Sequence, residues 1–173
     1  MPLSTLKKTG VLVLVLVLLC SCATVPLIDS PAQSEEITVT LYFADATASY
    51  LKAEERVLER TDEPVAALIV KALIAGPREK SLYPTIPPET QLLGLEVSDG
   101  IAHVNFSPEI ATKHWGGSTG ELLTIGSLVN SLTELSEIKA VQFLIDGEIR
   151  ESIWGHGITS EPIERIPELI APN

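Results

Sequence analysis

Thiols are confined to one corner of this chain. Cys20 and Cys22 are its two cysteines, and no residue from Ala23 to Asn173 carries sulfur. A disulfide, a zinc–cysteine site and a cysteine nucleophile are thereby excluded from the body of the chain. Basic residues are scarce: 12 Lys and Arg stand against 23 Asp and Glu, a formal charge of −11. No Lys or Arg cluster follows Lys7-Lys8, which disfavours binding to nucleic acid or to anionic headgroups. Long apolar runs are missing too. Val11–Leu19 has nine residues, well short of the roughly 20 that a membrane-spanning helix needs. The three histidines, His103, His114 and His156, show neither His-x-x-x-His nor His-x-His spacing, so no pair of metal ligands is legible. A Gly-x-Ser-x-Gly elbow is also lacking.

What is present begins with a targeting segment over residues 1–21: a positive Lys7-Lys8, then the short apolar run. Leu19-Cys20-Ser21-Cys22 resembles a bacterial lipobox, with Leu three residues before Cys22 and a small Ser just before it. Cys20 is preceded by bulky Leu19 and does not fit. Acylated Cys22 would be the first mature residue, and removing Lys7 and Lys8 takes the charge from −11 to −13. Residues 22–36, with Pro26, Pro31 and closing glutamates, read as a tether. The 152 residues from Cys22 onward suit one domain.

Over residues 37–165 the periodicity alternates between two and 3.6. Ile37, Val39, Leu41 and Phe43 form a half-buried strand, and Tyr50–Glu59 reads as a strand returning along it. Its charges, Lys52, Glu54, Glu55, Arg56 and Glu59, are expected to face solvent. Thr61 or Asp62 caps a helix with a stripe of Val65, Leu68, Ile69, Ala72 and Leu73, closed by Gly76-Pro77. Arg78–Gln91 reads as a long proline loop. Asp99-Gly100 is a two-residue hairpin signal that sets Val97 against Ala102, Leu95 against Val104 and Leu93 against Phe106. On the opposite face Glu96 meets His103.

The stretch Gly116–Gly147 organises the rest. Ser118 or Thr119 can cap a helix whose stripe is Leu122, Ile125, Val129 and Leu132, widened by Leu128 and Leu135. Thr124, Ser127, Asn130 and Ser131 lie mostly off it. A strand with Val141, Phe143 and Ile145 on one face follows. Ile149–Ile153 is expected to turn back along it, and 166–173 to be a loose tail. The pattern predicts an α+β two-layer sandwich, two helices on a mainly antiparallel sheet in the order ββαββαβ.

Chemistry is weakly signalled. Glu109 and Glu121 are the carboxylates one would pair for glycan cleavage, but nothing in the sequence brings them together. Gly116-Gly117-Ser118 at a helix start lacks the lysine of a phosphate loop. His156, between glycines, either aims into a pocket or closes a tight bend. Tyr83, Trp115 and Trp154, with Ile86 and Leu92, are apolar without an evident core role, and are either interface anchors or a lid on the core.

LYFAD (Leu41–Asp45), ALIAGP (Ala72–Pro77), IPPETQLLG (Ile86–Gly94), DGIAHVNFS (Asp99–Ser107), GGSTGE (Gly116–Glu121), VQFLIDG (Val141–Gly147) and GHGITSEP (Gly155–Pro162) follow one another in an order that resembles a GerMN (sporulation and spore germination GerM-type) domain. The resemblance implies a fold similar to the ring-building motifs of sporulation channel proteins. It also implies an extracytoplasmic lipoprotein on the outer face of a bacterial membrane, or on the outer membrane of a diderm. No catalytic residue, cofactor or metal is implied. The expected role is a scaffold for envelope or sporulation-complex proteins, or for self-association, with peptidoglycan binding or modification as the alternative. The spore-forming type member carries two such domains in tandem; one is legible here.

Overall fold

The computed structural model describes residues 35–172. The expected leader, Cys22 and the tether up to Ser34 lie outside the described residues. Strands β1 (Glu36–Ala44) and β2 (Leu51–Glu59) form an antiparallel ribbon with Ile37 opposite Leu58 and Tyr42 opposite Ala53. After them come α1 (Val65–Ile74), β3 (Leu92–Ser98), β4 (Ile101–Phe106), α2 (Glu109–Thr112), α3 (Ser118–Leu132), β5 (Ala140–Ile145), β6 (Ile163–Glu164) and a 3-10 turn at Pro167–Leu169. A second sheet has the order β3-β4-β5-β6, with β4 and β5 parallel. Parallel neighbours need a long crossover, and α2 and α3 supply it. The fold is α+β, as the pattern predicts, but its strands form two sheets and a short third helix precedes α3.

The Asp99-Gly100 hairpin has the expected register at Val97–Ala102, Leu95–Val104 and Glu96–His103. Asp99 and Gly100 have φ of 53° and 81°, the two positive values a type I′ turn requires. The pairing slips at its far end: Leu92, not Leu93, faces Phe106, through a bulge between Leu92 and Gly94. Leu93 is the extra residue and is exposed, as bulged residues are where a strand bends. Ala102, Val104 and Phe106 of β4 are fully buried, whereas Val97 remains partly exposed because β3 is an edge strand. Phe106 and Phe143 stack at 6.4 Å across the parallel pair.

Helix α1 buries Ile69, Ala72 and Leu73 as expected, and Ala66, Ala67 and Val70 besides. Pro64 occupies its cap position, and neither Thr61 nor Asp62 caps it. Gly76, at φ 82°, ends the helix. In α3 every residue from Leu123 to Leu132 is buried, together with Glu121. This overturns the amphipathic reading: Leu122 is exposed, and Thr124, Ser127, Asn130 and Ser131 are wholly buried. The helix lies against the ribbon, α1, β5 and the 3-10 turn, so it has no solvent face along most of its length. Its cap position falls on Gly117, and neither Ser118 nor Thr119 caps it.

The buried hydroxyls of α3 replace a missing strand. Tyr42 N–H donates to Ser131 Oγ at 3.0 Å, and Ser127 Oγ donates to the Tyr42 carbonyl at 2.6 Å. One turn of small polar residues thereby satisfies the outward backbone groups of Tyr42 on β1, which would otherwise be unpaired and buried. The proline loop covers the next position, Tyr83 and Ala44 exchanging both backbone hydrogen bonds.

The expected solvated face of β2 is also corrected. Glu54 and Arg56 are buried beside each other, and Arg56 extends over the Phe43 ring at 5.5 Å. Arg56 donates to Glu54 and to the carbonyls of Ala72 and Gly76. Glu54 accepts the N–H groups of Arg78 and Glu79 at 2.8 and 2.9 Å. The pair fastens the end of α1 and the start of the proline loop to the ribbon.

Asp146 and Gly147, with φ of 51° and 80°, form a second type I′ turn that sets Ile145 against Glu148. The return strand expected at Ile149–Ile153 does not form, since that register would place Arg150 against Phe143. Thr159 instead bonds the backbone of Glu151 and Arg150, and Gln142 donates to the Thr159 carbonyl. The expected loose tail at 166–173 is docked through residue 172. Asn130 brackets Ile166 with two hydrogen bonds, Ala171 N–H donates to Leu51, and Leu169 lies where a Cβ on Gly126 would come within 2.5 Å. Truncation after Arg165 is expected to lower the melting temperature by roughly 8 °C or more, about 2 kcal/mol in a domain of this size. A melt within 2 °C of the full chain would show that the segment contributes nothing.

Candidate functional site

At one end of the ribbon, the β1–β2 turn, the proline loop and the start of α3 enclose an open groove of about 300 Å³. Tyr83, Pro84, Trp115 and Leu123 wall it, above Ala44 and Gly120. Tyr83 and Trp115 are 53% and 54% exposed, unusual for aromatics in a domain with a filled core. These are two of the three residues singled out in the sequence. The third, Trp154, is half-buried against the core and donates its Nε1–H to the Ile110 carbonyl at 3.0 Å. Ile86 is fully buried and Leu92 packs on the core. The geometry therefore makes Trp154, Ile86 and Leu92 covering residues.

Trp115 packs on a hydrogen-bonded support despite its exposure. Its ring stacks on His114 at 5.2 Å and 20°, and His114 also meets Trp154 at 5.3 Å. His114 Nδ1 accepts the Gly116 N–H at 3.0 Å, which assigns the ring proton to Nε2, facing Thr124 Oγ1 at 2.9 Å. Thr124 donates in turn to the Thr85 carbonyl at 2.6 Å, and Thr85 Oγ1 donates to Ser127. The support of Trp115 is thus continuous with the hydroxyls that cap β1. Gly120 leaves room for this support, since a Cβ there would lie 3.2 Å from His114 Cε1, a tight contact. Gly116 and Gly117, at φ 80° and 82°, turn the chain into α3.

Burial holds His114 below the ordinary imidazole value of 6.5, against the opposing charge of Glu121. The folded state therefore favours the neutral ring. Its contribution is complete above pH 6.5 and is lost as the pH falls through the lower folded value. Stability should decline between pH 7 and pH 5, and His114→Gln should flatten that slope. An unchanged slope in urea melts of the variant would remove His114 as its source.

Glu121 is 2% exposed and lies nowhere near Glu109 in its bonding. It accepts the N–H of Gly157 at 2.5 Å, the N–H of His156 at 3.2 Å and His156 Nδ1 at 3.0 Å. Glu109 is partly exposed, and its carboxyl is held low chiefly by the Ser107 hydroxyl. His156 thus closes a bend. A Cβ at Gly157 would sit 2.8 Å from Glu121 Oε1, which accounts for the second glycine. His103 stands across from Glu96 on the hairpin, as the register predicts. Among the described residues no three His, Cys, Asp or Glu side chains converge as metal ligands. Thr124, the hydroxyl bonded to His114, is fully buried and donates to the Thr85 carbonyl.

Sequence reasoning missed the supporting residues His114, Thr124, Thr85 and Ser127, because each reads as an ordinary polar loop or helix position. The one available signal was their clustering with three glycines around a tryptophan.

A family model described as Germane, sporulation and spore germination, matches residues 40–151. A crystal structure of a Clostridium perfringens protein described as a candidate lipoprotein is 30% identical, with a TM-score of 0.56, over 80% of this chain and 95% of that one. The first GerMN domain of the sporulation protein GerM from Bacillus subtilis is 20% identical, with a TM-score of 0.62, over 76% of this chain and 98% of that one. The tandem GerMN domains of the same protein align at a TM-score of 0.65 and 19% identity, over 76% of this chain and 46% of that one. No curated protein matches.

Proposed function

This chain belongs to the Germane family of sporulation and spore germination domains, and from that premise we propose that it is a non-catalytic, lipid-anchored scaffold of the bacterial cell envelope that docks a protein partner across the Tyr83–Trp115 groove. The observation that carries this reading is Trp115: an exposed indole stacked on a histidine whose two ring nitrogens are both engaged. Rigid aromatic anchors lose little side-chain freedom on association, and they dominate binding energy at interfaces. The lipobox at Cys22 and the likeness to a Clostridium perfringens protein described as a candidate lipoprotein support an anchor. The sporulation and germination description of the family is consistent with a partner among envelope-assembly proteins.

Cross-linking of the full chain in its native host should trap a reproducible envelope protein, and Trp115→Ala should abolish that product at unchanged protein level. A product that survives Trp115→Ala would move the docking surface elsewhere. Sedimentation with cell-wall sacculi, abolished by the same substitution, would replace the protein partner with peptidoglycan. Anchoring is tested separately. Cys22→Ala should lose incorporation of labelled palmitate and accumulate as unprocessed or soluble protein, while Cys20→Ala remains labelled. Label in Cys22→Ala would overturn the lipobox assignment.

A further inference from the structure

We propose that the Tyr83–Trp115 groove takes an extended, proline-bearing segment of basic or neutral charge. This rests on the docking surface assigned above and names its partner's chemistry. The groove has few free polar side chains at its base. Thr85 directs its hydroxyl to Ser127 and its carbonyl accepts from Thr124. The Asp45 carboxylate accepts from the N–H groups of Ser49 and Tyr50 and from the Thr47 hydroxyl.

A sugar ring bears hydroxyls on most of its carbons, more than the Asp45 carboxylate, the Tyr83 and Thr119 hydroxyls and Trp115 Nε1–H could pair, and each one buried unpaired carries a cost. A polyproline II segment suits such a surface. Proline has no N–H to satisfy, its ring packs against aromatic faces, and its backbone is extended before it binds. Such a segment needs only a few donors for its carbonyls. The Tyr83 hydroxyl and Trp115 Nε1–H stand at the surface without a bond to another described residue, unlike the Nε1–H of Trp154.

Charge completes the match. Asp45 is the one charged residue lining the groove, and its carboxyl is held ionised, first by the Thr47 hydroxyl. With a formal charge of −11 on the chain, arginine or lysine beside the prolines is attracted and an acidic segment is repelled.

The test is fluorescence anisotropy with the full chain in detergent micelles. The probe is a labelled nine-residue peptide of proline pairs bearing arginine at both ends. The controls are the same peptide with every proline replaced by glycine, a version with glutamate for arginine, and labelled chitotetraose. The proline peptide should bind at least tenfold more tightly than the glycine peptide. Trp115→Ala and Tyr83→Ala should each weaken it at least tenfold, and Leu93→Ala, an exposed change on the β3 bulge outside the groove, should leave it unchanged. The glutamate version should bind more weakly at low salt, with the difference closing at high salt.

Equal affinity for proline and glycine peptides, or binding that survives Trp115→Ala, would overturn the proposal. Direct binding of labelled chitotetraose that is lost in Trp115→Ala, with no binding of the proline peptide, would assign the groove to glycans instead. If the host cross-link depends on Trp115 but the proline peptide does not bind, docking stands and the proline chemistry fails. If neither depends on Trp115, both fail together.

Discussion

Arg56→Ala should lower the stability of this domain by about 3–5 kcal/mol, the range for removing one partner of a buried ion pair. The loss has several parts. Glu54 would remain a buried carboxylate without its counter-charge, the carbonyls of Ala72 and Gly76 would lose a donor, and the stem over Phe43 would vanish. Glu54→Ala should approach the same figure, because Arg78 and Glu79 N–H then lose their acceptor. The double variant should cost far less than the sum, since the two side chains form one clamp. Lys71 and Glu63 provide the control: their ion pair at 2.6 Å is about half exposed, and Lys71→Ala should change stability by less than about 1 kcal/mol.

Burial raises the Glu54 carboxyl, but the Glu79 N–H, the Arg56 guanidinium and the Arg78 N–H outweigh it and hold the group below 4.5. Its contribution is therefore complete above pH 4.5 and lost as the pH falls through the folded value. Urea denaturation at pH 7 measures all of these. A loss under 1 kcal/mol for Arg56→Ala would mean that the pair is solvated and the clamp absent.

Ser127→Ala should cost about 2–3 kcal/mol, although the change is a single oxygen. It strands the Tyr42 carbonyl and the Thr85 hydroxyl in a buried site, and each unpaired group costs about 1–3 kcal/mol. On the same helix, Leu122→Ala removes a large apolar side chain that is 45% exposed and should cost under about 0.5 kcal/mol. Sequence patterning predicts the reverse order, so the pair is a sharp comparison. Thermal melts of both variants decide it. A larger shift for Leu122→Ala would show that α3 has the amphipathic seating its periodicity suggests.

Local chemistry made much of the fold legible. The period-two runs identified β1, β4 and β5, because alternation on a pleated strand leaves a direct trace in sequence. Asp99-Gly100 set the hairpin register through the backbone angles that only such a pair adopts readily. Gly76-Pro77 marked the end of α1 for the same reason. The exposed aromatics Tyr83 and Trp115 stood out because the counted core positions had no place for them.

Only the tertiary structure decided what surrounds each element. The periodicity of α3 records where its leucines lie but not that the β1–β2 ribbon and the C-terminal segment cover its other side, so Ser127, Asn130 and Ser131 read as solvent-facing when they are buried. Glu54 and Arg56 alternate like a wet strand face, because nothing local announces that α1 and the proline loop fold over them. Trp154 and Trp115 look alike in sequence. They differ because the Ile110 carbonyl lies within reach of one indole N–H, while His114 lifts the other to the rim of a groove. A side chain's intrinsic chemistry is written in the chain, but its partners are brought from 16 to 89 residues away by the closing of the core.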